Sequence, residues 1–477
     1  MNRNSGPPPT VPRSMDSHPR PIRLLAAVCL AMLAAAPLPA QNCGGTSTGR
    51  TPLDDLGPGL YQGFAGGLYP GGSNARPAAH EAAGLAQAAA VVPRRADGAP
   101  DPAGRIVLLS IGMSNTTQEF TTFLPTSNAD VLRNPAVAVV DGAQGGWDSS
   151  RIADPNATFW TTIEQRLANA GLTPQQVQVC WVKEAHAGPT GGFPAAAVQL
   201  QGELRTIAQI LQTKYPNVRI AYLSSRIYAG YAINALNPEP YAYESGFSVK
   251  WLIEQQVNGD PALNWDPGLG PVLAPWLAWG PYLWADGLLP RSDGLTWACP
   301  EFQSDGVHPN VLARFKVADA LDRFFRADTT ARPWYATATP HSVRAAVFPF
   351  GTGCPGTAGP PNFLAARTPI IGDPNFRVAV ANALPGASGA LLVSLGYADV
   401  TFPPSPCHVY VDFARVVLLL GFVTGPTGQG SIALPLPNEQ ALMGVSVFAQ
   451  ALVLDPGGQG IGGVALTAAL RLIFGTA

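Results

Sequence analysis

The chain has 477 residues, too many for one ordinary core, so two domains are expected. Only 13% of the residues are charged and the formal balance is −2, which leaves no electrostatic case for nucleic acid or an acidic polymer as partner.

In chain order, the first feature is LLAAVCLAMLAAA at 24–36, preceded by Arg20 and Arg23 and followed by PLPA and Gln41. An apolar run of that length is too short to span a bilayer and reads as a signal peptide over 1–40, cleaved after Ala40. No later stretch reads as a membrane helix, so a soluble bacterial protein is expected, secreted or held in the periplasm or at the cell surface. Export permits disulfides. Cys43, Cys180, Cys299, Cys354 and Cys407 follow the signal. Cys354 and Cys407 share the C-terminal region and form the best pair, with Cys180–Cys299 second and Cys43 left odd. No CxxC or Cys/His spacing supports a metal site.

Residues 41–103 are rich in Gly, Pro and Ala with little periodicity and read as an irregular lead-in that wraps the next domain. From 104 to 330 the texture alternates. RIVLLSI, AVAVV, VQVCWV and VRIAYLSS are apolar runs without strict alternation, as in strands covered on both faces. Between them, Thr161 to Ala170 closes on Gly171, and Leu200, Leu204, Ile207 and Leu211 make one helical stripe behind Pro194. Asn310 caps a last helix, VLARFKVADALDRFF, with Leu312, Phe315, Leu321 and Phe324 expected inward. Strands alternating with helices predict a parallel sheet with right-handed crossovers. After a linker at 331–345, residues 346–477 give strand-like runs split by PG, GP, GQG and PGGQG turns, a small antiparallel β-sandwich.

In parallel α/β sheets the working groups gather at the carboxyl ends of the strands. After the first strand stands GMSN with Ser114, after the second DGAQGGWDS with Gly145, Gly146 and Trp147, after the third KEAH with Lys183 to His186, and after the fourth SRIYAGY with Arg226. SDGVHPN, with Asp305 and His308, stands just before the last helix.

This order of Ser, Gly, a polar donor and DxxHP resembles the SGNH/GDSL hydrolase family, and GMSN is similar to the GxSN block of its carbohydrate O-acetylesterases. The resemblance covers about 105–326 and implies a flavodoxin-like three-layer α/β/α fold. It implies Ser114 as nucleophile, His308 as base, Asp305 as the group that orients the imidazole, and chemistry without metal or organic cofactor. The oxyanion hole would combine the Ser114 N–H, a glycine N–H from Gly145 or Gly146, and a side-chain donor. Here the sequence departs from the family: WVKE stands where GxND is expected. Either Lys183 donates to the oxyanion, or it pairs with Glu184 and Asn115 serves. Trp147, His186 and Arg226 are candidates for the substrate cleft, with Tyr228, Glu239 and Glu244 in the same insertion as Arg226.

PWLAWGPYLWADGLLPRSDGLTW (275–297) packs Trp276, Trp279, Tyr282, Trp284 and Trp297 between helix breakers. It reads either as a saccharide-stacking wall or as an insertion plugged onto the core. The C-terminal region, opening FGTGCPGT, resembles small sandwich modules of secreted bacterial proteins and is a candidate for contact with polysaccharide or the cell surface. The expected activity is hydrolysis of a small-molecule or glycan ester, most specifically an O-acetyl group on a carbohydrate. A lipolytic esterase or acyltransferase would use the same residues, and a non-catalytic glycan-binding protein would retain the fold without the chemistry.

Overall fold

The computed structural model describes Met1 and residues 42–337, 342–401 and 403–477. The expected signal peptide and residues 338–341 of the expected linker lie outside the described residues. Strands β1 (Ile106–Gly112), β2 (Val137–Asp141), β3 (Val177–Lys183), β4 (Ile220–Ser224) and β5 (Trp276–Trp279) pair in parallel in the spatial order 2-1-3-4-5. Every residue of β1, β3 and β4 is buried, as their unbroken apolar character predicts.

Helix α1 (Ala78–Ala89) precedes the sheet. Then come α2 (Ser114–Asn128), α3 (Thr158–Asn169), α4 (Ala195–Lys214), α5 (Tyr241–Val257) and α6 (Val311–Ala327). Right-handed crossovers that leave β1 in one direction and β3 in the other place their helices on opposite faces. Accordingly α2 lies against α6, and α4 against α5. The order reverses between β1 and β3, and a crevice at their carboxyl ends is where this topology puts a site.

Three elements differ from expectation. Helix α1, AAHEAAGLAQAA, has strong alanine propensity but no aliphatic stripe, so periodicity alone gave no helix in the lead-in. The fifth strand is WLAW, a tryptophan-rich run inside what read as an insertion. Its neighbours settle the Trp-rich stretch as core: Trp276, Trp284 and Trp297 are completely buried and Trp279 and Tyr282 nearly so, leaving no ring face for a sugar. Finally, α6 is turned relative to the predicted stripe. Leu321 faces the sheet core as expected, but its companions there are Ala313, Val317 and Phe325, which with it are spaced four apart. Phe315 faces away, and Phe324 is half-buried, edge-on to Tyr222. The side chain of Leu312 lies outside the described residues.

The C-terminal region holds β6 (Ala346–Phe350), β7 (Asn362–Ala365), β8 (Arg377–Ala381), β9 (Ser388–Ser394), β10 (Tyr397–Thr401), β11 (His408–Val411), β12 (Val416–Val423), β13 (Gly430–Ala433), β14 (Ser446–Leu454) and β15 (Val464–Ile473). These strands pair with one another antiparallel. A five-stranded sheet, β12-β9-β14-β15-β6, is central. One face packs on the three-stranded sheet β13-β8-β7 around Phe376, Val378, Leu391 and Val453. Its other face is covered by the β10–β11 hairpin and, from the first half of the chain, by Val311 and Phe315 of α6. The Phe315 ring lies 5.3 Å from Tyr397 and 5.5 Å from Phe448. Helix α6 therefore contributes to both cores.

Among the described residues there are two disulfides, a type of bond that persists in oxidising compartments. Cys354–Cys407 is the pair expected. The second corrects the sequence reading: Cys299 bonds Cys43, across 256 positions, and Cys180 is a buried free thiol within β3. The lead-in is thus strapped down at several points. Asp286 accepts from Ser47 Oγ (2.6 Å) and from the Thr48 and Gly49 N–H groups (2.6 and 2.9 Å). The Lys250 ammonium donates to the Ala65 and Gly66 carbonyls at 2.6 and 2.7 Å. Among the described residues no helix is long and apolar enough to cross a membrane.

Replacing Cys43 and Cys299 with serine is expected to lower stability by about 2–5 kcal/mol in denaturant titration. Limited proteolysis should then cut within 43–74 before it touches the sheet.

Candidate active site

Strand β1 ends at Gly112, and α2 begins two residues later at Ser114. The turn requires glycine. A Cβ at position 112 would stand 2.4 Å from both the Lys183 carbonyl oxygen and Thr116 Oγ1. Ser114 is consequently the first residue of α2, where backbone N–H groups have no intrahelical acceptor and the helix dipole favours negative charge.

Across the crevice, the loop before α6 folds around Asp305. Its Oδ1 accepts the Val307 and His308 N–H groups at 3.1 and 3.0 Å, and its Oδ2 lies 2.5 Å from His308 Nδ1. Gly306, at φ 68°, packs so tightly that a Cβ would meet the Tyr231 carbonyl oxygen at 1.8 Å. His308 Nε2 then reaches Ser114 Oγ at 2.7 Å. Ser114, His308 and Asp305, expected together from the sequence, form one continuous hydrogen-bonded chain. Burial pushes the Asp305 carboxyl up. The bonds from the His308 ring and the two N–H groups outweigh burial and hold the carboxyl below its ordinary value.

The Gly145–Gly146 turn borders the serine: a Cβ at Gly145 would stand 3.8 Å from that of Ser114. The Gln144 N–H donates to the Gly112 carbonyl at 2.9 Å, which joins this loop to the nucleophile turn. Gly146 sits at φ 79°, and its carbonyl accepts from Arg151. Trp147 is half-exposed, with the Arg151 guanidinium 4.4 Å over its ring.

Three predicted site residues are placed differently. Lys183 neither reaches the crevice nor pairs with Glu184. Its ammonium lies 2.7 Å from both carboxylate oxygens of Glu119 on α2, and both side chains are 0% exposed. Burial draws the Lys183 ammonium down to about 8 against the attraction of Glu119. Asn115 is buried and donates through Nδ2 to the Val307 carbonyl at 3.0 Å, so its amide ties α2 to the histidine loop. Arg226 is 0% exposed and cannot touch a substrate at the surface. Its guanidinium makes no direct hydrogen bond among the described residues and is attracted by Glu119, Glu184, Glu239 and Asp305. Burial pushes the Glu184 carboxyl well above the ordinary range.

His186 is half-buried beside the Gly145–Asp148 loop, its Nδ1 2.9 Å from Glu203 Oε1. The Ala187 N–H donates to Asp148 Oδ2 at 2.9 Å, joining these two rims. Sequence reasoning missed Glu119 as the partner of Lys183. The signal was a lone acid five residues after Ser114, on the same side of α2 as the buried Phe120 and Phe123.

No protein-family model and no curated protein matches the chain. Solved structures give distant likenesses. A protein of Bacteroides fragilis NCTC 9343, named as a candidate acylhydrolase, matches at 12% identity over 54% of this chain and 100% of its own, with a TM-score of 0.29. The salicylyl-acyltransferase of a tetracycline biosynthetic pathway matches at 14% over 48% of this chain and 56% of its own, at 0.25. A gut microbial diltiazem-metabolizing enzyme matches at 11% over 64% and 61%, at 0.28. Likenesses of this degree carry no argument about chemistry, so the functional reading rests on the geometry above.

Two measurements test that geometry. Lys183→Met, which strands the Glu119 carboxylate, should cost about 3–5 kcal/mol in denaturant titration. The double variant with Glu119→Leu should recover most of it. A carboxyl whose folded pKa lies below its unfolded value of about 3.9 contributes stability above that pH, and the contribution is lost as pH falls through the folded value. Asp305→Asn removes that contribution, so acid titration should cost the variant less stability than the wild type below about pH 4.

Proposed function

We propose that this chain is an exported serine esterase of the SGNH type, on the single observation of a Ser114–His308–Asp305 relay with contacts of 2.7 and 2.5 Å. His308 Nε2 takes the Ser114 proton as Oγ bonds to the ester carbonyl carbon. Asp305 keeps the other ring proton on Nδ1 and stabilises the imidazolium. The negative charge that develops on the carbonyl oxygen is met by the N–H group of Ser114, at the start of α2, and by that of Gly145 on the bordering loop. Collapse breaks the bond to the alcohol, which leaves with the proton from His308. Water, deprotonated by the same ring, then cleaves the acyl–Ser114 ester and frees a carboxylic acid. With Lys183 and Asn115 engaged elsewhere, the hole is built from backbone.

The substrate in this reading is an O-acetylated carbohydrate, which the GMSN block supports. A second reading, an ester with an apolar acyl or aryl group, is favoured by the 227–240 loop. Its Ile233 N–H donates to the Asp305 carbonyl at 3.1 Å, and the Ile233 and Leu236 side chains are 61% and 45% exposed. An exposed apolar residue whose backbone bonds to the relay's own loop suits an apolar substrate part.

A fluorophosphonate probe should label the wild type at Ser114 and leave Ser114→Ala unlabelled; a wild type that never labels points to a binding protein. His308→Ala should keep its fold by circular dichroism and lose about 10⁴–10⁶ in ester turnover. Unchanged turnover would refute the assignment. Acetylated sugars compared with nitrophenyl esters of rising chain length decide between the two substrates.

A further inference from the structure

Hydrolysis by this relay needs the hydroxyl on α2 and the imidazole before α6 held at one separation, yet they are 194 positions apart in the chain. Besides the bond from Asn115 to the Val307 carbonyl, a polar clasp joins the two elements behind the reacting atoms. Arg314, on the first turn of α6, donates from Nε to the Pro309 carbonyl at 3.0 Å and from Nη2 to Gln118 Oε1 at 3.0 Å. Pro309 follows His308 directly, and Gln118 is one helical turn beyond Ser114. Gln303 Nε2 makes the same two contacts, each at 3.2 Å, and the Gln303 N–H donates to the carbonyl of His308 itself at 2.8 Å. One amide oxygen on the serine helix and one peptide oxygen beside the histidine are therefore each gripped twice.

The grip has an outside support. Phe315, next to Arg314, is wedged between Tyr397 and Phe448, and the Arg471 guanidinium lies 5.9 Å over its ring. The C-terminal sheet thereby fixes the roll of α6 about its axis. That roll sets where Arg314 points.

We propose that Arg314 and Gln303 are positioning residues that set the Ser114–His308 distance, and that the C-terminal sandwich serves the reaction by holding α6 in that orientation. The proposal rests on the serine esterase reading. A bidentate guanidinium sharing two acceptors is geometrically specific in a way that a lysine is not. A small misplacement at a reacting centre is enough to cost about 10²-fold in rate, while binding groups elsewhere stay in place.

The test is steady-state kinetics with a fluorophosphonate labelling rate on the full chain. Arg314→Ala is expected to lower kcat about tenfold or more with KM within about twofold, and to slow labelling of Ser114 by the same factor. Arg314→Lys should not rescue either rate. Gln118→Leu, at a half-buried position, should reproduce part of the loss and stands in if Arg314→Ala does not fold. Combining Gln118→Leu with Arg314→Ala should add nothing beyond Arg314→Ala alone. Phe315→Ala should lower kcat in the same direction with KM unchanged. A loss of thermal stability with wild-type kcat and labelling rate in the Arg314 or Gln118 variants overturns the proposal, as does full rescue by lysine. Labelling that persists in Ser114→Ala instead removes the underlying reading.

Discussion

A hydrogen bond between a serine hydroxyl and an imidazole tolerates errors of only a few tenths of an ångström, and here its two partners come from opposite ends of a sheet-building segment. Every larger feature can be read as a means of meeting that tolerance. The 2-1-3-4-5 strand order brings the end of β1 and the start of α6 to the same rim. Gly112 lets the chain turn into α2 without colliding with β3, and Gly306 lets the histidine loop seat on Tyr231. Asp305 then closes its own loop by accepting two backbone N–H groups with one oxygen, and this leaves the other for the ring. The carboxylate is thus a turn-former and a partner for imidazolium at once.

Beneath that rim lies an expensive arrangement. Lys183, Glu119 and Arg226 are all withdrawn from water, and among the described residues only the first two are directly paired. Ionised groups in such surroundings forfeit several kilocalories of hydration each, which close pairing only partly returns. A hydrophobic filling would pack as well. What the ion pair adds is direction: it anchors the second turn of α2 to the end of β3, where an apolar contact alone would let the helix slide. Arg226 supplies a fixed positive field under four carboxyl-bearing side chains, Asp305 among them.

The parallel sheet was legible because its first four strands are apolar on both sides, and the antiparallel end because turn dipeptides punctuate it. The relay was legible through the resemblance that GMSN and DGVHPN carry, the second of which holds orienter, base and helix start within six residues. The fifth strand was hidden because tryptophan fills a core as readily as it lines a cleft, and only burial separates the two. Lys183 misled for a related reason: a cation at a strand end belongs to a cleft or to a pair, and the deciding partner, Glu119, is 64 positions away. The inward face of α6 was misjudged because the helix has two apolar sides, one for each core, and a single-stripe reading cannot assign both. Cys43 and Cys299 were beyond reach, as their proximity depends on how the lead-in travels.

The route of that lead-in has a kinetic consequence. Its anchors are Asp286, Lys250 and Cys299, all contributed after most of the sheet. A chain made from its amino end exposes residues 43–74 long before anything exists for them to grip, and loop closure over such spans is slow. All three anchors lie beyond the first four strands, so the segment can close only once that part of the chain is present. Oxidation of its cysteine would then be among the last events of maturation, a latch fastened on a body already built.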